Sequence, residues 1–165
     1  LRYFNAAGYD LENRIKGLEV NPQNLIPKAM EVAIGKRDKI DIYGNDYRTK
    51  DGTGVRDYVH VSDLASAHLD SIELIKKLNQ NFTINLGSGK GVSVMEILKK
   101  IEIISNKSIK YQYVGRRSGD SSKIIADILK AKNILNWEPK YSDLDTIIST
   151  TWKAYNQVNS FSKFS

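Results

Sequence analysis

Two clusters of residues in this chain could do chemistry on an anion. The first is a loop from Gly44 to Gly54, with glycines at 44, 52 and 54, which delivers Arg56 where the chain turns back into an extended segment. A guanidinium held at a rigid position presents a planar fork of donors that matches a phosphate or a carboxylate. The second cluster is Gly115-Arg116-Arg117-Ser118-Gly119-Asp120. Successive side chains of an extended segment point to opposite faces, so one arginine of the pair is expected to face a ligand. Asp120 could then accept from a ribose diol. On residue chemistry alone, each cluster also reads as a solvated surface turn, with Arg56 pairing to Asp57 or Asp63.

These clusters have to be positioned by regular elements. Residues 1–5 read as a strand that turns at Asn5 to Gly8, and 9–23 as irregular. Leu25, Ala29, Val32 and Ala33 fall near one face of a helix over Asn24 to Lys36, with Pro27 tolerated in its first turn and Gly35 as a stop. Ile40 to Tyr43 reads as a strand before the loop, and Val55 to Val61 as one after it. Ser62 is expected to cap a helix from Asp63 to about Leu78, with Leu64, Ala65, Leu69, Ile72 and Ile75 buried and His68 packed in that apolar face. Phe82 to Leu86 is a further strand. The capping box Ser93 and Glu96 opens a helix with the stripe Val94, Ile97, Leu98, Ile101 and Ile104. A strand over Ile109 to Val114, a short helix from Asp127 to about Asn136 and a last helix from Ser142 follow. Leu144, Ile147, Ile148, Trp152 and Tyr155 share one face of that last helix, and the tail beyond Asn156 is expected to fray.

The turn Gly87-Ser88-Gly89-Lys90-Gly91 lies between a strand and a helix, as a dinucleotide loop would. Its third glycine comes one residue early, and no acid stands about twenty residues on. It therefore reads as structural, close to a sugar site at most. His60 and His68 lack a supporting carboxylate spacing, so no metal site is expected, and both read as structural.

The chain's 165 residues suffice for one domain with a core, and 27% charged against 41% hydrophobic residues suit a globular protein. Cysteine is absent, which excludes disulfides and thiolate metal sites and is compatible with a cytoplasmic setting. No apolar run is long enough to cross a bilayer, so no membrane partner is expected. The net charge of +6 favours anionic partners. The lysines are spread along the chain rather than bunched, which argues against nucleic acid. Leu1 opens in the middle of an apparent strand with no earlier partner, so the chain is expected to be part of a longer polypeptide.

Seven stretches in order then carry a resemblance: LRYFN at 1–5, NLIP at 24–27, IYGNDY at 42–47, DGTGVRDYVHVSDLA at 51–65, INLGSG at 84–89, RRSGD at 116–120 and LNWEP at 135–139. Together they resemble the C-terminal half of the UDP-glucose 4-epimerases, members of the extended short-chain dehydrogenase/reductase superfamily. The pattern departs at Gln23, where asparagine is frequent, and at Ser121, where proline or an apolar residue is common.

The resemblance implies an α/β fold: the C-terminal substrate-binding part, with strands completing a Rossmann-type sheet begun upstream. Residues 1–8 and about 56–90 would pack on an NAD-binding domain outside this chain. Residues 9–55 and 91–158 would form the substrate domain, and 159–165 a frayed tail. It implies interconversion of UDP-glucose and UDP-galactose by transient oxidation at C4, with NAD held mainly by the upstream half. The catalytic tyrosine of a YxxxK motif and its partners would lie before Leu1, so no catalytic residue is expected here and the isolated chain is expected to be inactive. Tyr3 and Phe4 would lie against the nicotinamide, and Asn5 would contact the hexose or diphosphate. Asn24 and Leu25 would meet the diphosphate at a helix start, and Asp41, Ile42 and Tyr43 would flank the uracil. Arg56 and Arg117 would pair with the phosphates, Asp120 with the ribose, and Tyr58 would line the site nearby. Ile124 would stand on the wall whose bulk decides whether an N-acetyl group fits. A homodimer is implied for the full-length enzyme. The alternatives are an epimerase for UDP-N-acetylglucosamine or a UDP-pentose, and a non-catalytic truncated remnant.

Overall fold

The structure, a computed structural model, describes residues 1–15, 17–78 and 80–161. Over these described residues it is mixed α/β, with short, mostly parallel strand pairs and four α-helices. Strand β1 (Arg2–Tyr3) is followed by β2 (Asn5–Ala7), α1 (Leu25–Ala33) and β3 (Ile40–Tyr43). After the glycine loop come β4 (Val55–Arg56), β5 (Tyr58–His60) and α2 (Val61–Leu78). Strands β6 (Asn85–Leu86) and β7 (Val92–Ser93) lead into α3 (Val94–Ser105). Then β8 (Tyr111–Val114), β9 (Lys123–Ile124), a π-helical turn (Ala131–Leu135) and α4 (Leu144–Phe161) complete the order.

Strand β1 pairs parallel with β6, β2 with β5, and β3 with β8 in the register Ile40↔Tyr111 to Tyr43↔Val114. Strand β4 lies between β7, antiparallel, and β9, parallel. The larger core joins Ile26, Ala29 and Met30 of α1 to Ile40 and Ile42, to Ile97, Leu98 and Ile101 of α3 and to Ile147, Ile148 and Tyr155 of α4. A smaller one gathers Val59, Leu64, Ala67, Ile84, Leu86, Leu135 and Trp137. Helix α3 opens as its sequence demands: Ser93 Oγ accepts from the Glu96 N–H, and the Glu96 carboxylate accepts from the Ser93 N–H.

Three expectations are corrected. The strand expected over Val55 to Val61 is broken at Asp57 into β4 and β5, which belong to different sheets. Asp57 is fully buried, and its carboxylate accepts from the N–H groups of Ser88, Gly89 and Ala126 and from the Ser88 hydroxyl, at 2.7–3.1 Å. Its own N–H donates to the Ile124 carbonyl and its carbonyl accepts from the Asn5 N–H, so the chain passes from one sheet to the other at Asp57.

The second correction is the start of α2. The helix begins at Val61, so Ser62 lies within it, and the His60 ring does the capping by accepting the Ser62 N–H at Nδ1, 3.1 Å away. Asp63, two residues on, is buried and accepts from the N–H groups of Lys140 and Tyr141 and from the Ser142 hydroxyl.

The third is the apolar face of α2. Leu64 is buried, but Leu69, Ile72 and Ile75 are 67%, 50% and 59% exposed, and His68 is exposed rather than packed in a core. Its Nδ1 lies 2.7 Å from the Leu64 carbonyl oxygen and its ring 6.3 Å from that of Tyr3. The stripe is apolar, yet nothing among the described residues covers it. At the other end of the chain, α4 continues to Phe161, past the expected fraying point, and the rest of the expected tail lies outside the described residues.

Candidate functional site

The glycine loop is a built object. Gly52 has a positive φ of 77°, and a Cβ there would stand 2.1 Å from the Asn45 carbonyl oxygen, so only glycine closes this turn. Asp51 accepts from the Thr53 N–H and hydroxyl and from the Ser93 hydroxyl, tying the loop to the start of α3. Arg116 clamps the far side: its guanidinium lies 4.2 Å from the Tyr47 ring centroid and donates to the Asp46 carboxylate at 2.7 Å. That bond holds the Asp46 carboxyl below the usual carboxylate range.

With the loop fixed, Arg56 projects into a cleft of about 640 Å³. Tyr3, Phe4 and Asn5 line it from β1 and β2, Asn24 and Leu25 from the start of α1, and Asp41, Ile42 and Tyr43 from β3. Arg56, Tyr58, Arg117 and Asp120 also line it. Segments distant in sequence thus meet in one hollow. The side chain of Asn5 is anchored by donating to the Asp57 carbonyl at 2.7 Å, and the Asp41 carboxylate accepts from Gln112 at 2.7 Å across the strand pair. Burial raises the Tyr58 phenol to about 12, against the pull of the neighbouring Arg56 charge, so Tyr58 stays a neutral hydroxyl.

Ile124 pairs with Arg56 across β4–β9, which puts the two side chains on one face of that sheet, and it is 42% exposed.

Two adjacent arginines divide as an extended segment requires. Arg116 holds the loop, while Arg117 faces the cleft with its guanidinium 3.7 Å from the Tyr43 ring centroid, a stacked cation–π arrangement. The turn that follows, closed by Asp120 N–H to the Arg117 carbonyl with Gly119 at a positive φ of 77°, brings Asp120 back to Arg56, with which it forms an ion pair.

The N-terminus of α1 also opens on the cleft. Asn24 makes no side-chain cap, and no acid sits in the first turn, so the positive end of the helix is left to whatever enters. Lys28, one turn in, lines the same hollow and was not singled out from sequence. Asp57 was also missed as a site-builder. The signal for it was weak, because an acid in a polar stretch reads as exposed until its partners, more than thirty residues away, are known.

The glycine turn 87–91 is structural. The amides of Ser88 and Gly89 already donate to Asp57, and a Cβ at Gly87 would meet the Asp57 carboxylate at 2.7 Å. Among the described residues no group of three or more His, Cys, Asp or Glu side chains could hold a metal ion, and no helix is long and apolar enough to cross a membrane.

Comparison with known proteins agrees with this geometry. A family model described as GDP-mannose 4,6 dehydratase matches residues 1–151. The UDP-glucose 4-epimerase of Rhizobium leguminosarum bv. trifolii is 44% identical over 96% of this chain and 48% of its own length, and that of Bacillus subtilis (strain 168) is 43% identical over 93% and 45%. The chain spans about half the length of the curated relatives it matches. Among solved structures, the UDP-glucose-4-epimerase of Stenotrophomonas maltophila with bound NAD and formylated UDP-arabinopyranose aligns with a TM-score of 0.90 at 36% identity, over 99% of this chain and 48% of that one. The Bifidobacterium longum enzyme in complex with NAD+ and UDP aligns at 0.86 and 37% identity, over 96% and 47%. The chain belongs to the GDP-mannose 4,6 dehydratase family of the extended short-chain dehydrogenase/reductases, and over nearly its whole length it resembles the UDP-glucose 4-epimerases.

Proposed function

We propose that this chain is the UDP-sugar-binding half of a UDP-glucose 4-epimerase, an isomerase that interconverts UDP-glucose and UDP-galactose. The observation that supports this reading is the cleft itself, where aromatic, cationic and acidic groups from Tyr3 to Asp120 converge. Such a reaction needs the nucleotide held firmly and the sugar held loosely, so that the oxidised hexose can turn over without escaping.

The residues divide accordingly. Asp41, Ile42 and Tyr43 flank the uracil. The open N-terminus of α1 at Asn24 and Leu25, with Arg56 and Arg117, takes the diphosphate. Asp120 takes the ribose hydroxyls, Tyr58 donates its hydroxyl near the phosphates or ribose, and Asn5 meets the hexose or diphosphate. The residues present fit NAD at its edge only: Tyr3 and Phe4 offer an aromatic wall, while the amides of Ser88, Gly89 and Lys90 in the glycine turn already donate within the chain. When bound, NAD supplies a reversible hydride acceptor for C4 of the sugar. No tyrosine of this chain has a lysine four residues on, so the 165 residues alone supply no base of that type and do not turn over substrate. The uncovered face of α2 and the short parallel pairs β1–β6 and β2–β5 are where the rest of the protein packs.

Calorimetric titration of UDP into the purified protein tests the binding half of the proposal, with saturable one-to-one binding expected. Absence of binding would refute it. An assay of UDP-galactose conversion tests the enzymatic half: turnover is expected from the protein carrying its upstream half, and turnover by the 165 residues alone would contradict the division of labour.

A further inference from the structure

The cleft contains an ion pair between two of its lining residues, Arg56 and Asp120. Arg56 is pinned twice from within the chain: one nitrogen donates to its neighbour Val55's carbonyl oxygen at 2.9 Å, and the other pairs with the Asp120 carboxylate. The two side chains are 18% and 31% exposed, so the pair is partly open to solvent at the cleft. Arg117 is tied differently, by stacking on Tyr43, and needs no acid to hold it. The two guanidiniums are therefore unequal. An anion approaching Arg117 competes with an aromatic face, and an anion approaching Arg56 competes with a carboxylate.

We propose that Asp120 is a specificity-determining residue that neutralises Arg56 until a ligand brings both an anion and a vicinal diol. The inference rests on the nucleotide reading above. The anion takes Arg56 and displaces the carboxylate. That carboxylate, partly shielded and stripped of its cation, needs new hydrogen-bond donors, and two ribose hydroxyls supply them. A ligand with the diphosphate but no diol breaks the pair and leaves Asp120 unsatisfied beside its own negative charge. A ligand with the diol but no phosphate gives Arg56 nothing in exchange. The cleft thereby rejects inorganic pyrophosphate and other free anions that the arginines, the start of α1 and Lys28 would otherwise attract.

The test measures affinities of UDP, 2′,3′-dideoxy-UDP and inorganic pyrophosphate for the wild type, Asp120→Ala and Asp120→Asn by calorimetry at one ionic strength. In Asp120→Ala, pyrophosphate is expected to bind about fivefold tighter or more, the scale of one competing ion pair removed, and the preference for UDP over its dideoxy analogue is expected to collapse. Asp120→Asn, which keeps hydrogen-bonding capacity without the charge, should show the pyrophosphate gain while retaining part of the diol preference. Unchanged or weaker pyrophosphate binding in both variants would overturn the proposal, even if UDP binds normally. A pyrophosphate gain in a protein that does not bind UDP would leave the counter-ion role standing and sink the nucleotide reading instead.

Discussion

His60 Nε2 lies 3.2 Å from Thr150 Oγ1, joining the end of β5 to α4 through the centre of the protein. The contact fixes the imidazole's protonation. Nδ1 accepts the Ser62 N–H, so in the neutral ring the proton sits on Nε2 and is donated to Thr150. Thr150 Oγ1 also accepts from the Tyr9 N–H at 3.2 Å and donates onward to the Thr146 or Ile147 carbonyl. The ring is fully buried, and a Cβ at Gly8 would lie 2.3 Å from it, so nothing larger than glycine fits above.

A pH dependence follows. Burial lowers the His60 pKa from its usual value, outweighing the opposing pull of Asp63 and Asp143. A base whose folded pKa is depressed takes up its proton more readily in the unfolded chain. Its contribution is fully present above the unfolded pKa of about 6.5 and is lost as pH falls below it. Urea unfolding at pH 8, 6.5 and 5.5 should show stability falling across the two lower values, before the carboxylates titrate. His60→Gln should be less stable at pH 8 but nearly flat over the same window. A wild type equally stable at all three values would remove the histidine from the account.

Asp57 carries the second prediction. Its buried carboxylate holds the 87–89 turn and the segment after β9, at Ala126, against β4 and β5. Asp57→Ala strands the buried Ala126 N–H, at about 1–3 kcal/mol, and frees the part-buried donors at Ser88 and Gly89, so a loss of about 2 kcal/mol is expected in chemical denaturation. Because Asn5 is anchored on the Asp57 carbonyl and Arg56 precedes it, UDP affinity should fall as well. Unchanged stability would mean that water replaces the carboxylate at no cost.

These two residues also show where the sequence was legible. Helices α1, α3 and α4 announce themselves by apolar periodicity, a capping box and a glycine stop, which are local signals. The motif residues that meet in the cleft were readable through their wording and order. Asp57, His60 and Asp63 sit within seven residues of one another, and their partners lie at 88–89, 126, 140–142 and 150, so burial there is a tertiary fact with no local trace.

The arginines supply the third prediction. Charge-assisted contacts to phosphate are worth about 1.5–3 kcal/mol, so Arg56→Ala and Arg117→Ala should each weaken UDP binding about tenfold or more. The two should differ in background. Arg56→Ala leaves Asp120 without its cation, whereas Arg117→Ala exposes only the Tyr43 ring. Because the wild type must break the Arg56–Asp120 pair to bind, part of the Arg56 contact is offset, so Arg117→Ala should show the larger loss, and calorimetry on both variants reads the order directly. Unchanged affinity in either variant removes that arginine from the phosphate site.

The exposed stripe of α2 gives the last. Leu69, Ile72 and Ile75 lie along one helix, and the Tyr3 ring lies beside His68 of the same helix. A row of large apolar side chains in water is costly to maintain unless something covers it. If the rest of the protein packs there, Ile72→Lys buries a charge in the complete protein and should destabilise it by about 2 kcal/mol or more. The same substitution in the 165-residue chain alone changes an already solvated position, so its effect should stay within about 0.5 kcal/mol. Thermal melts of both forms, with and without the substitution, separate these outcomes. Equal effects in the two would show that the stripe remains exposed in the complete protein.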